Sequence, residues 1–91
     1  MLLQGHVEAQ AFLGDNFHEI GNMEKATYWW AKAAEQGNES SQNNLGACYM
    51  DGDGVSKDIK KAVYWFTKAI EQGNEEARVN LENLRRQGIG W

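Results

Sequence analysis

Two stretches of this chain repeat each other. KATYWWAKAAEQGNES begins at Lys25 and KAVYWFTKAIEQGNEE begins at Lys61, an offset of 36 residues. Within them, Glu35-Gln36-Gly37-Asn38 returns as Glu71-Gln72-Gly73-Asn74. A period of this length marks a stack of small units, none of which buries its apolar face without a neighbour. Such stacks present extended surfaces to partners, so the sequence points toward recognition rather than chemistry.

The repeat reaches further along the chain. Gly5-His6-Val7-Glu8-Ala9-Gln10 aligns with Gly37-Asn38-Glu39-Ser40-Ser41-Gln42 and with Gly73-Asn74-Glu75-Glu76-Ala77-Arg78. Leu13-Gly14, Leu45-Gly46 and Leu81-Glu82 also correspond, with an offset of 32 residues for the first step and 36 for the second. The four extra residues fall in Asp51-Gly52-Asp53-Gly54-Val55-Ser56-Lys57. Insertions are tolerated in loops between packed elements, so this segment is the turn inside a unit. The expected organisation is one domain, 1–91, with units at about 5–36, 37–72 and a partial one at 73–87.

Each complete unit reads as two helices. Ala26, Trp29, Trp30 and Ala33 have the spacing i, i+3, i+4, i+7, and Ala62, Trp65, Phe66 and Ala69 repeat it. These aromatics are expected in the core, with Tyr28 and Tyr64 beside the stripe and partly exposed. The preceding helices carry Ala9, Phe12, Leu13 and Phe17, then Leu45, Cys48 and Tyr49, then Ala77, Leu81 and Leu84. Asn22 and Asp58 suit N-cap positions. Gly37 and Gly73 suit the left-handed residue that ends a helix, and the Asn after each can cap the next one. Junctions this short force antiparallel neighbours. The expected fold is all-α, with helices at about 6–20, 23–36, 39–50, 58–72 and 75–87. Gly14 and Gly46 lie mid-helix at a cost of about 1 kcal/mol each relative to Ala, so a partner helix should approach closely there, under an aromatic ring. Met1-Leu2-Leu3-Gln4-Gly5 resembles the last turn of a preceding second helix. Leu81 and Leu84 have no second helix to cover them, and Ile89 and Trp91 follow. That apolar surface suggests a tail that folds back, a longer array, or self-association through the terminal helices.

Several function classes are disfavoured. The net charge is −4 and the Lys and Arg residues are scattered, unlike the basic patch of a nucleic-acid binder. Cys48 is the single cysteine, so no internal disulfide forms. Asp51-Gly52-Asp53-Gly54 invites a calcium reading, but the loop has Val55, Ser56 and Ala62 where an oxygen ligand, a Gly and a bidentate acid are needed. A tight left-handed turn is the expected role of its glycines. His6, His18 and Cys48 have no metal-ligand spacing. A Cys48–His18 nucleophile pair is conceivable, but Cys48 lies on the inward face beside Leu45 and Tyr49, where cysteine is inert packing. No enzyme activity, cofactor or metal is expected. Met1-Leu2-Leu3 is too short for a secretory or membrane-spanning segment. The cytoplasm is therefore the default expectation, with the periplasm or secretion if the sequence is cut from a longer precursor.

LGACYMDGDGVSKDIKKAVYWFTKAIEQGNEEA resembles a Sel-one-like repeat, the longer-looped relative of the tetratricopeptide repeat. Leu45-Gly46, Tyr49, Gly52, Gly54-Val55, Asp58, Lys61-Ala62, Trp65-Phe66, Lys68-Ala69 and Glu71-Gln72-Gly73-Asn74 carry the likeness. Leu13-Gly14, Phe17, Gly21, Ala26, Trp30 and Ala33 follow the shorter tetratricopeptide spacing instead. The third unit departs more, with Glu82 in place of Gly and Arg85 in place of an aromatic, as suits a solvent-facing end helix.

The resemblance implies a right-handed α-α superhelix, or solenoid, whose first helices line a concave face. Members of the family usually act as adaptors or scaffolds that bind peptides or proteins, and bacterial members are common. By that analogy Glu8, Ala11, Asp15, His18 and Glu19 face the groove from the first unit. Asn43, Ala47, Met50 and Asp51 face it from the second, and Val79, Asn83, Arg86 and Gln87 from the third. Such a groove is acidic at one end, amide-rich in the middle and closed by Arg86, which suits a protein or peptide with a basic portion. Capture of an acidic C-terminus is disfavoured. Ala11 and Glu76 stand where tetratricopeptide carboxylate clamps carry Lys, and Asp15 stands for an Asn, although Asn44 fits. The alternative is a structural fragment that assembles through its ends.

Overall fold

The computed structural model describes residues 6–88, which form five α-helices. They are α1 (Val7–Glu19), α2 (Met23–Glu35), α3 (Glu39–Asp51), α4 (Ile59–Glu71) and α5 (Glu75–Arg86). The bounds lie close to those expected from the sequence because the capping residues act as anticipated. Asn22, Asn38, Asp58 and Asn74 each accept a backbone N–H three residues on, at 2.7–3.1 Å. Gly37 and Gly73 adopt φ of +98° and +91°, a conformation that glycine reaches without strain. Asn38 N and Asn74 N then donate to the carbonyls of Ala33 and Ala69, both at 3.1 Å. One residue therefore closes a helix with its backbone and opens the next with its side chain. Met1-Leu2-Leu3-Gln4-Gly5, Ile89 and Trp91 lie outside the described residues.

Helices α1 and α2 form one antiparallel pair, α3 and α4 the next, and α5 lies against α4 and α3. A Cβ at Gly14 would overlap the Trp30 indole, and one at Gly46 would come within 2.7 Å of Phe66 Cδ1. The mid-helix glycines thus admit aromatic rings from the paired helix, as the sequence suggested. Trp30 is 5% exposed and Phe66 is fully buried. Ala62, Phe66, Ala69, Ala77 and Leu84 form one core cluster, and Ala26, Trp30 and Cys48 form another. Leu84, for which the sequence offers no covering second helix, is enclosed.

Two expectations about aromatic residues fail for geometric reasons. Trp29 and Trp65 are only half-buried. Trp30 and Phe66 take the places opposite Gly14 and Gly46, and the residue before each, about 100° round the helix, falls at the edge of the buried stripe. Trp29 instead meets Tyr28 edge-on at 5.1 Å, and Trp65 meets Tyr64 at 4.9 Å. Phe12 is 62% exposed. Its repeat equivalents, Asn44 and Asn80, both look back toward the previous first helix, and among the described residues α1 has no such neighbour.

The units are joined by glutamine amides. Gln42 Nε2 donates to the Ala34 carbonyl at 3.2 Å. Gln72 Nε2 donates to the Gly37 carbonyl at 2.8 Å and to Gln42 Oε1 at 3.0 Å. The Gln of the repeated Glu-Gln-Gly-Asn reaches the first helix of its own unit, Gln36 to Gln10 and Gln72 to Gln42, while the Gly and Asn supply the turn and the next cap.

Candidate recognition site

The first helices α1, α3 and α5 lie side by side. Between α3 and α5 the surface is closed. Asn43 Nδ2 donates to Glu76 Oε1 at 3.2 Å, and Asn80 Nδ2 donates to Asn43 Oδ1 at 3.0 Å. Asn43 is 4% exposed. It was expected to face a partner, but its amide is spent joining two helices. The superhelix turns this position toward the next first helix, and Glu76 and Asn80 have the length to meet it.

Between α1 and α3 the surface is open. A recess of about 470 Å³ lies there, lined by Asp15, His18, Glu19, Met23, Trp30, Asn44, Ala47, Cys48, Asp51 and Asp53. Four of these are carboxylates, and none is Lys or Arg. Trp30 Nε1 donates to Asp15 Oδ1 at 3.1 Å, and the His18 ring lies 5.5 Å from the indole. Lys25 Nζ stands 5.5 Å from the Phe17 ring and Lys61 Nζ 5.3 Å from that of Tyr49. Asp53 comes from the α3–α4 loop, which folds back onto α2. Thr27 Oγ1 contacts the Asp53 carbonyl at 3.4 Å, and Asp53 N donates to the Cys48 carbonyl at 3.0 Å.

Of the residues placed on the groove by analogy, the recess gathers Asp15, His18, Glu19, Ala47 and Asp51. Glu8, Asn83, Arg86 and Gln87 are exposed but stand apart from it, and Ala11 is partly buried. Ala47 and Met50 both pack against the core cluster of α4 and α5, and Met50 does not line the recess. Val79 is 56% exposed. Asn44, Asp53 and Trp30 were not assigned to a site from the sequence. The Asn44 signal was present, since it repeats as Asn80. Among the described residues Asn80 is hydrogen-bonded, whereas the Asn44 side chain has no protein partner.

Cys48 touches the recess but is buried, and burial pushes its thiol above the usual range. Thr27, whose hydroxyl approaches Sγ at 3.4 Å, offsets part of this, and the Asp53 and Asp51 charges add to the rise. A neutral buried thiol is packing material. Among the described residues, no group of His, Cys, Asp and Glu is placed to hold a metal ion. No helix among them is long and apolar enough to cross a membrane.

Paired helices, glycine-admitted aromatics and amide clasps between units define an α-helical repeat protein. The Sel1 repeat pattern matches residues 7–38 and 39–74, and the chain belongs to the Sel1 repeat family. A protective antigen of uropathogenic Escherichia coli strains, displaying an SLR fold, is 37% identical and superposes with a TM-score of 0.87. The match covers 94% of this chain and 19% of that one. A Sel1 repeat protein from Oxalobacter formigenes is 36% identical with a TM-score of 0.83, over 93% of this chain and 37% of its own. The chain therefore spans well under half the length of either. No curated protein matches it. Sel1 repeats are helical modules that generally mediate protein–protein interactions.

Proposed function

We propose that this chain is a non-catalytic recognition module that holds a protein segment with a basic portion along the concave face of α1, α3 and α5. The acidic recess between α1 and α3 carries the reading. Asp15, Glu19, Asp51 and Asp53 surround a cavity that no Lys or Arg lines. All four are exposed to solvent, and clustered charge of one sign on a concave surface raises the local concentration of the opposite charge. Asn83, Arg86 and Gln87, exposed toward the end of α5, supply the polar contacts that set direction. Photocrosslinking tests this. With a photoreactive residue at Asn83, the chain should capture a partner in its source cell, and one at Tyr64 on α4 should not. Capture from Tyr64 alone would place recognition on the opposite face.

A second reading rests on the edges. Phe12 and Val79, on α1 and α5, are the kind of exposed apolar residues that an assembling repeat covers. Sedimentation across protein concentrations decides it, because assembly through these edges requires a concentration-dependent mass and a monomer at every concentration rules it out.

A further inference from the structure

The α1–α3 junction lacks the clasp that joins α3 to α5. The Asn43–Glu76–Asn80 clasp of the α3–α5 junction corresponds, one unit earlier, to Ala11, Ser40 and Asn44. Ala11 has no amide and Ser40 is too short to replace a Glu. Asn44 is therefore left partly buried on the recess wall, its donors and acceptor without partners among the described residues. A polar group in that position gains from a ligand that offers both a carbonyl and an N–H, as a peptide unit does.

Resting on the reading above, we infer that this recess is the primary docking subsite: it takes one Arg or Lys side chain of the bound segment, while Asn44 hydrogen-bonds that segment's backbone. Three observations converge. The volume, about 470 Å³, lies within the roughly 300–1,000 Å³ typical of small-ligand pockets, so a whole side chain enters rather than a bare ion. One carboxylate is held in place in advance: Gly14 admits the Trp30 ring and Trp30 Nε1 donates to Asp15, so that side chain loses little freedom when a cation arrives. The loop backbone on the other side is held as well, since Asp53 is tied through its main chain to Thr27 and Cys48. The pairing of an amide with carboxylates distinguishes a peptide from a free polyamine, which has no carbonyl for Asn44 to recognise.

The test is a heteronuclear NMR titration of the whole chain with acetyl-Ala-Ala-Arg-Ala-Ala-amide. Its citrulline counterpart keeps the shape without the charge, and spermidine keeps charge without a peptide backbone. The Arg peptide should shift the Trp30 indole and Asn44 side-chain resonances, with Tyr64 unmoved. The citrulline peptide should bind about tenfold more weakly. Asn44→Ala should weaken the Arg peptide about 5- to 10-fold at an unchanged melting temperature, and leave spermidine unaffected. Equal binding of the citrulline peptide, equal binding of spermidine, or no shift up to about 5 mM peptide each overturns the assignment. If the recess fails while Asn83 still captures a partner, concave-face recognition survives without this subsite. If both fail, the broader reading falls too.

Discussion

Between α3 and α5, Asn43 gives its amide to Glu76 and receives that of Asn80, and the helices are sealed. Between α1 and α3 the corresponding positions hold Ala11, Ser40 and Asn44, which form no such clasp, and Asn44 instead lines a recess. Both second helices drive an aromatic ring against a glycine, Trp30 onto Gly14 and Phe66 onto Gly46. The scaffold is thus held constant while the face varies. In a repeat protein a site can arise from what one unit omits, since its neighbour shows what the complete junction contains.

The largest perturbation removes the shared frame. Trp30→Ala and Phe66→Ala should each cost about 3–5 kcal/mol by denaturant unfolding, enough to unfold a domain of marginal stability. A Trp30→Ala protein with an unchanged melt would mean that the two units are not built alike. A smaller effect separates the junctions. Asn43→Ala should cost about 1–2 kcal/mol by urea titration, because Asn80 and Glu76 lose their partner. An unaltered midpoint would show that the clasp does not seal α3 to α5. The smallest change converts one junction into the other. Ala11→Asn with Ser40→Glu should add about 0.5–1.5 kcal/mol and weaken the Arg peptide about tenfold by engaging Asn44. Undiminished peptide affinity in that variant would detach the recess from Asn44.

The framework was legible in the sequence because its signals are local. Asn22, Asn38, Asp58 and Asn74 mark helix starts through contacts three residues away, and the Gly37 and Gly73 turns need no distant partner. Tertiary rotation was not legible. Periodicity grouped Trp29 with Trp30, yet only the second aromatic of each unit meets the opposing glycine. Analogy placed Asn43 on the face and passed over Asn44, although one turns toward the next helix and the other toward the recess. Distinguishing them required the superhelical angle, which no spacing in the chain encodes.

The α3–α4 loop has a consequence for how this molecule comes apart. Gly54, at φ +82°, lies so close to the Met23 carbonyl and the Thr27 hydroxyl that a side chain there would collide with α2. Val55 packs with Ala26, Trp30 and Cys48. The second repeat thereby roofs the hydrophobic centre of the first. Severing the chain at the boundary near Asn38 would leave the leading hairpin without its lid, so the two repeats should melt together, and a trimmed fragment would inherit half a core.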